Sequence, residues 1–425
     1  MTLAVFDLND SAIGHGNNAE SWQYSPGFAL LADGRIITGE EARNKAWLNP
    51  QQSFQQYWHQ LNLSPLAVHN NSARHHADLA YAQLQQLYRD SGEPQQVILA
   101  VPGSFNREQL GLLLGLVKPL PFSAIGLVDS AVAAVSTQPP SGSALHLDIQ
   151  QHQSLITRLD NHGELHSTGL EAVSNLGMKQ LLDHWAHYVA DQFIRQYRYD
   201  PLHTASGEQQ LYDQLPQWLA TAREEPQIAV SLDTPKGDFH LNLMRDDLLA
   251  CAQPRLKQLR QAVEAQRLNG ESLYLSHRAA HILGLPQQLG DHRVLPASAV
   301  LQGCLNNRSQ ICTDSDSLGF VSALTLEAST TADAPPAAVS AVSPSHLLVG
   351  HRALPLGRQL GLRNTAAGIE ACDSDQAEVV LDNRGSQLQI QTVSGVSLSA
   401  PDSLQAGAVI EWQQQRLQLI VVAEG

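Results

Sequence analysis

A segment rich in alanine, serine, threonine and proline divides this chain of 425 residues into two parts of different character. The segment spans 326–345, shows neither helical nor strand periodicity, and contains the pair Pro335 and Pro336. This composition is typical of an extended linker. We therefore predict a body over 1–325, the linker over 326–345 and a separate C-terminal domain over 346–425.

In the body, strand-like runs alternate with helical patterns. The apolar run at 97–101 precedes a helical pattern at 107–117, and the run at 126–128 precedes a small-residue helix at 130–135. A long helix is predicted from 176 to about 197, because its apolar residues recur every three or four positions. This alternation is typical of an α/β fold.

The C-terminal part shows a different pattern. Short alternating runs separated by Gly, Asn and Asp lie at 347–349, 378–381, 387–391, 409–412 and 417–422. They predict a small all-β sandwich.

The composition argues against two classes of partner. The chain has 41 acidic and 26 basic residues and a net charge of −15, and its Lys and Arg residues do not cluster, so we expect no nucleic-acid binding. Its longest apolar stretches, such as 110–117, fall short of the ~20 residues that a membrane span requires. No secretory signal is recognisable, so we expect no membrane association and a cytoplasmic location.

Familiar catalytic and metal-binding patterns are missing from the sequence. Cys251, Cys304, Cys312 and Cys372 have neither zinc-site nor redox-motif spacing, and we expect buried free thiols. The sequence also lacks a nucleophile elbow, a zinc-binding H-E-x-x-H helix and a P-loop.

Two short apolar runs end in an aspartate and are predicted to be buried strands that turn into hairpins. The first ends at Asp7 and continues with the letters LNDS, and the second ends at Asp148 and continues with IQQHQ. A tight turn around a phosphate needs glycine, because backbone N–H groups must approach the anion, and neither turn has one. The two carboxylates could hold Mg²⁺ across a cleft, or they could simply accept local backbone N–H bonds.

Further passages follow one another in a recognisable order: GEEARNKAWLNP at 39–50, VILAVPGSFNREQ at 97–109, VDSAVAA at 128–134, LGM at 176–178, LYLSHR at 273–278 and AVLQGC at 299–304. In this order they resemble the nucleotide-binding domain of the seventy-kilodalton heat-shock chaperones, a branch of the actin-like ATPase superfamily. The passage at 97–109 is the most specific, being similar to the family's V-x-T-V-P-A-x-F-N-x-x-Q. The resemblance covers about three-quarters of the chain and implies a two-lobed actin-like fold.

The resemblance implies a vestigial nucleotide cleft formed by Asp7, Asn9, Ser11, Asp148, Gln150, Gln153, Ser276 and Arg278, with Asp7 and Asp148 as weak Mg²⁺ ligands. The family's loops D-L-G-T-T and D-x-G-G-G-T have lost their glycines here, and Asp10 would repel phosphate. The family's catalytic lysine falls in 54–59, which has no lysine, and its glutamate is shortened to Asp129. Since positioned charges supply most of phosphoryl-transfer catalysis, we expect no efficient ATP hydrolysis, no catalytic residue and no cofactor.

The resulting hypothesis is a chaperone-like pseudo-ATPase that acts as a cytoplasmic protein-binding scaffold or regulator. The alternative is an ATP-dependent, chaperone-like ATPase that binds ATP or ADP with Mg²⁺. Its phosphate site would be rebuilt from the side chains of Asn9, Ser11, Gln150 and Gln153. A sugar kinase of the same superfamily lacks support, because no further general-base aspartate in a glycine-framed motif is found.

The C-terminal domain begins with LLVG at 347–350 and ends near LQAGAVI at 404–410. These passages are similar to the first and last strands of forkhead-associated domains. The Arg that reads phosphothreonine in that family is replaced, since His351 follows Gly350, and no S-R-x-x-H segment occurs. The resemblance therefore implies at most a degenerate forkhead-associated-like sandwich that binds protein.

Overall fold

The computed structural model divides the chain into two units, Met1–Ala328 and Ser329–Gly425. It describes residues 2–66, 72–234, 237–268, 270–313, 318–326, 344–349, 352–357, 359–365, 368–373, 376–383, 388–393, 396, 398–399, 404, 408–412 and 415–420. The predicted linker at 326–345 lies outside these residues except for 326, 344 and 345.

The first unit combines helices and strands, as predicted for an α/β body. Its described helices are α1 Glu40–Arg43, α2 His76–Asp90, α3 Arg107–Val117, α4 Ser130–Val135, α5 Met178–Tyr197, α6 Ala205–Glu224, α7 Arg245–Gln266, α8 His277–Ala280, α9 Ala299–Asn306 and α10 Arg308–Ile311. Single 3₁₀ turns occur at Pro50–Gln52, Pro201–His203 and Pro286–Gln288. The helices predicted at 107–117 and 130–135 are confirmed with the same bounds.

Seventeen strands are described in the first unit. They are β1 Leu3–Asp7, β2 Ile13–Gly16, β3 Gln23–Ser25, β4 Ala29–Ala32, β5 Arg35–Thr38, β6 Ser53–Phe54, β7 Gln96–Val101, β8 Ser123–Asp129, β9 Ala144–Ile149, β10 Gln153–Asn161, β11 Glu164–Ser174, β12 Gln227–Thr234, β13 Gly237–Met244, β14 Ser272–Leu275, β15 Arg293–Val294, β16 Phe320–Val321 and β17 Ala323–Thr325.

Two six-stranded sheets of this unit share the same internal order. The first runs β16-β8-β7-β1-β2-β3, and the second runs β15-β14-β9-β10-β11-β17. In each, the first strand in sequence pairs antiparallel with the next strand and parallel with a later one: β1 with β2 and β7, and β9 with β10 and β14. The strand order β3-β2-β1-β7-β8 is therefore repeated as β11-β10-β9-β14-β15.

The hydrophobic core has three main parts. One lies between the first sheet and helices α2 and α3, and another between the second sheet and helices α5, α6 and α7. The third part contains residues of both sheets, such as Val5 and Leu159, together with α4 and α9.

Helices α4 and α9 approach so closely that a side chain has no room between them. A Cβ atom added to Gly303 would lie 1.7 Å from the carbonyl oxygen of Ala133. Glycine is therefore required at this helix crossing.

The second unit consists of strands β18 His346–Val349, β19 Arg352–Pro355, β20 Gln359–Thr365, β21 Gly368–Cys372, β22 Val379–Asp382, β23 Gln389–Thr392, β24 Leu398–Ser399, β25 Val409–Trp412 and β26 Gln415–Ile420. They form one sheet of order β19-β18-β26-β25-β24 and another of order β21-β20-β22-β23. Apolar residues of both sheets, including Leu347, Leu362 and Trp412, share one core.

Parts of the sequence patterns in this unit fall outside the described residues. They are position 387 and 421–422 of the predicted strands, and 350–351 and 405–407 of the passages compared with forkhead-associated domains. Among the described helices of the whole chain, none combines the length and apolar character that a membrane crossing requires.

Candidate functional site

The two predicted strand-to-hairpin turns lie side by side in the first unit. Asp7 is the last residue of β1, which turns into β2, and Asp148 is the next-to-last residue of β9, which turns into β10. Both aspartates are buried. The predicted hairpins are thus confirmed, and the two carboxylates are brought to one place.

Arg278 lies between the two aspartates and contacts both. Its Nη2 atom donates to Oδ2 of Asp7, and its Nη1 atom lies 3.6 Å from Oδ2 of Asp148. The same guanidinium donates from Nη2 to the carbonyl oxygen of Ala12 at 2.9 Å. Its side chain is 10% exposed. One buried cation therefore serves two carboxylates from the two hairpins.

The position of Arg278 is set by the short helix α8, which follows strand β14. Ser276 caps this helix by accepting the N–H of Ala279 at 3.1 Å, and its own N–H donates to the carbonyl oxygen of Leu147 at 2.9 Å. The predicted cleft residue Ser276 thus attaches α8 to strand β9.

The two carboxyls respond differently to this shared cation. Burial raises the pKa of Asp7, and the neighbouring Asp148 charge adds to the rise that Arg278 opposes. Burial also acts to raise the pKa of Asp148, but Arg278, His146 and hydrogen bonds from Ser276 and Asn9 hold it below its ordinary value. The negative charge of the pair is therefore best stabilised on Asp148. Oδ1 of Asp7 is buried and has no hydrogen-bond partner among the described atoms.

Burial alone would lower the pKa of Arg278. The adjacent Asp7 and Asp148 charges more than offset this effect, so that its pKa is raised. Arg278 is therefore a permanent cation within the cluster.

Asn9 and Ser11 join the first hairpin to the second. The amide nitrogen of the Asn9 side chain donates to Oδ2 of Asp148 at 2.8 Å and to the carbonyl oxygen of Ile149 at 3.0 Å. The Ser11 hydroxyl lies 2.7 Å from Oδ1 of Asn9 and 3.0 Å from the carbonyl oxygen of Ile149, so its one proton can be donated to either, and the Ser11 backbone N–H donates to Oδ1 of Asn9. The Asn9 amide and the Ser11 hydroxyl are thus both within hydrogen-bond distance of the second hairpin.

Asp10 makes the second direct link between the hairpins. Its Oδ1 atom accepts the backbone N–H of Gln151 at 2.7 Å. Burial raises the pKa of Asp10 to about 6, although this hydrogen bond and the Arg278 charge oppose the rise. Sequence reasoning identified Asp10 only as a residue that would repel phosphate and did not predict its partner.

The predicted residues Gln150 and Gln153 close the second turn. The backbone N–H of Gln150 donates to the carbonyl oxygen of Gln153 at 2.9 Å, and the Gln153 side-chain amide donates to Oε1 of Gln150 at 2.7 Å. Gln153 also lies 3.4 Å from the Ser104 hydroxyl. These two side chains bind each other, and Gln153 also approaches Ser104.

Helix α5 begins directly against the second turn. The backbone N–H groups of Met178 and Lys179 donate to the carbonyl oxygens of Gln150 and Gln151 at 2.9 and 3.0 Å. A Cβ atom at Gly177 would lie 2.5 Å from the backbone nitrogen of Gln153. The LGM passage therefore has a local reason for its glycine, which is this close approach.

Tyr24 belongs to the cluster, although no sequence pattern indicated it. Its ring lies 5.8 Å from Cζ of Arg278 and stacks on His277 at 6.2 Å between ring centres. Its hydroxyl donates to the carbonyl oxygen of Ala297 at 2.9 Å. Strand β3 thus contributes an aromatic side chain that covers the guanidinium.

The segment at 54–59, which the resemblance aligns with the family's catalytic lysine, lies beside the second turn. The carbonyl oxygen of Gln55 is 2.9 Å from Nε2 of His152. Within the described part of the chain, no group of three or more His, Cys, Asp or Glu side chains is arranged to hold a metal ion. In the cluster as a whole, the buried carboxylates accept from Arg278 and from backbone N–H groups, and Oδ1 of Asp7 is left without a partner among the described atoms.

No model of a known protein family matched the chain. The search of curated protein sequences gave no match either.

Proposed function

We propose that the chain is a diverged actin-like protein of the heat-shock-chaperone type that works without nucleotide, as a cytoplasmic scaffold or regulator that binds other proteins. Two observations support the fold part of this proposal. The strand order of the first sheet is repeated in the second, and each copy carries its buried aspartate at the first hairpin. This is the arrangement expected of a duplicated phosphate-binding fold.

The proposal that the protein works without nucleotide rests on the position of Arg278 between Asp7 and Asp148. In an ATPase of the resembled family, the corresponding carboxylates would face a hydrated Mg²⁺. A divalent cation brought here would meet a buried guanidinium and would have to displace it from two carboxylates. The protein thus supplies its own cation at this point, and Mg²⁺ does not fit the donor set as it stands.

The backbone amides of the two hairpins support the same proposal, because they are not free to bind a phosphate anion. A nucleotide phosphate needs free backbone N–H groups, but those of Ser11 and Gln151 already donate to Asn9 and Asp10. The Asp10 carboxylate thus satisfies an amide that a phosphate oxygen would otherwise bind. Side chains also stand where glycine would be needed for a close phosphate approach.

The alternative of a rebuilt ATPase has less support. It requires the side-chain amides of Asn9 and Gln153 as phosphate donors, and both already donate to protein oxygens. No lysine lies in the segment at 54–59 to stabilise charge in the transition state. We therefore propose that the protein acts through its surfaces, with protein partners.

The test is calorimetric titration of the full chain with ATP and with ADP, each with Mg²⁺, beside thermal unfolding with Mg²⁺ alone. We expect no heat of binding and no stabilisation at millimolar nucleotide. Micromolar binding that is lost in both Asp7→Ala and Asp148→Ala, with the exposed variant Asp238→Ala as the control, would refute the proposal.

A further inference from the structure

A cavity of about 290 Å³ lies beside the cluster, between the helices α5 and α6 and the segments around Phe28 and Trp47. Its walls are largely aromatic and aliphatic. Trp47 stacks on Tyr212, with ring centres 4.2 Å apart and planes inclined by 12°, and Phe28 packs 5.8 Å from Trp47. Trp185 and Leu219 complete the apolar wall. Its size is near the lower end for a small-molecule site.

The polar side chains of the cavity are unusual for so acidic a chain. Arg43, Lys179 and Arg223 line it, and no described Asp or Glu does. Arg43 is paired with Glu40, and Lys179 lies 2.6 Å from Asp183. The lining itself therefore carries cations and no carboxylate, but Arg43 and Lys179 already have carboxylate partners just outside it.

Arg223 differs from the other two cations of the lining. Its Nη1 atom donates to the carbonyl oxygen of His281 at 2.9 Å, and no carboxylate of the described residues lies within ion-pair distance. The neighbouring His277 does not share this charge, because burial, His281, Arg278 and Arg223 lower its pKa to about 4. A positive charge at the edge of an apolar cavity is thus left without a protein counterion.

We infer that this cavity binds a small amphipathic anion, whose flat apolar part packs among Trp47, Tyr212 and Leu219 and whose carboxylate pairs with Arg223. Moving an apolar group from water to a site with apolar walls lowers its free energy. A guanidinium can form two parallel hydrogen bonds with a carboxylate. A nucleotide is a poorer fit, because the backbone N–H groups of Ser11 and Gln151, which line the cavity, already donate to Asn9 and Asp10 and are not free for phosphate. The cavity adjoins the cluster, because Ser11 and Gln151 also line it, but the proposed ligand is not a nucleotide.

The probe for the test is 2-naphthoate, and the neutral 2-naphthalenemethanol serves as its uncharged counterpart. Both are titrated calorimetrically into the full chain at pH 7.5. We expect the acid to bind and the alcohol to bind about tenfold more weakly, since a hydrogen bond to a charged group is lost. Arg223→Gln should weaken binding of the acid by about tenfold and leave binding of the alcohol unchanged. The control Lys257→Gln removes an exposed cation on α7 and should change the affinity of neither probe.

A second variant fills the cavity without touching its charge. Ala220→Trp places an indole in the lining, and Ala265→Trp makes the same exchange at an exposed helical position. We expect Ala220→Trp to abolish binding of both probes while its circular dichroism remains that of the folded protein.

Absence of naphthoate binding at millimolar concentration, or binding that Arg223→Gln leaves unchanged, would overturn the inference and leave the proposed function in place. Displacement of bound naphthoate by ATP with Mg²⁺ would overturn both, since the cavity would then be a nucleotide site.

Discussion

Replacing Asp10 by Asn is expected to stabilise the protein at neutral pH. Asp10 is buried, and its Oδ1 atom accepts the backbone N–H of Gln151. An asparagine offers the same acceptor oxygen, so the link between the two hairpins is retained. What disappears is the negative charge, which burial makes costly.

The magnitude follows from the pKa of Asp10, which is raised from 3.8 to about 6 in the folded protein. Below pH 3.8 the carboxyl is protonated in both the folded and the unfolded chain and costs nothing. As the pH rises toward 6, the unfolded chain releases this proton while the folded protein retains it, so the free energy of unfolding falls. The loss is complete above about pH 6 and amounts to about 3 kcal/mol. Asp10→Asn should recover about this amount at pH 7 and almost none at pH 4.

The assay is urea denaturation at pH 4, 5, 6 and 7, followed by tryptophan fluorescence. Five of the six tryptophans lie in the first unit, so the signal reports mainly on the unit that contains Asp10. Asp238→Asn, at an exposed position on β13, is the control and should change stability by less than about 0.5 kcal/mol. A destabilised Asp10→Asn protein at pH 7, or an equal gain at pH 4 and pH 7, would refute the reasoning.

Two further predictions concern the same unit. Arg278→Gln leaves Asp7 and Asp148 buried without their cation and should cost about 3–5 kcal/mol at pH 7 in urea denaturation. That cost should shrink toward pH 4 as the carboxyls take up protons, and a cost independent of pH would contradict the ion-pair explanation. Gly303→Ala forces a methyl group onto the Ala133 carbonyl and should cost about 3 kcal/mol or more. The matched Gly111→Ala, which meets no neighbouring atom on α3, should instead raise the melting temperature, and equal effects of the two changes would contradict the packing argument.

Local patterns predicted much of the secondary structure of the first unit. The apolar residues of α5, such as Leu181, Trp185 and Val189, recur at helical spacing and are buried as expected. Helix α6 was not predicted, although Leu211 and Leu215 show the same spacing, because polar residues and Pro216 interrupt the pattern.

The site was predictable only in part, for a physical reason. Apolar runs that end in Asp7 and Asp148 predict two buried turns, because strand periodicity is local. The bonds that matter most join residues far apart in the chain: Arg278 with Asp7, and Asp10 with the Gln151 N–H. No local period encodes such pairs, and only the arrangement of the two sheets brings them together.

The backbone amides of Ser11 and Gln151 have a consequence for hydrogen exchange. Most protected amides of a sheet donate to backbone carbonyls and exchange when the sheet opens, but these two donate to the side chains of Asn9 and Asp10. Their exchange with deuterated solvent therefore requires only that these two hydrogen bonds to side chains break. The Gln151 amide, whose acceptor Asp10 lies on the other hairpin, is therefore a built-in reporter of separation between the hairpins, whereas the Ser11 amide reports on its own turn.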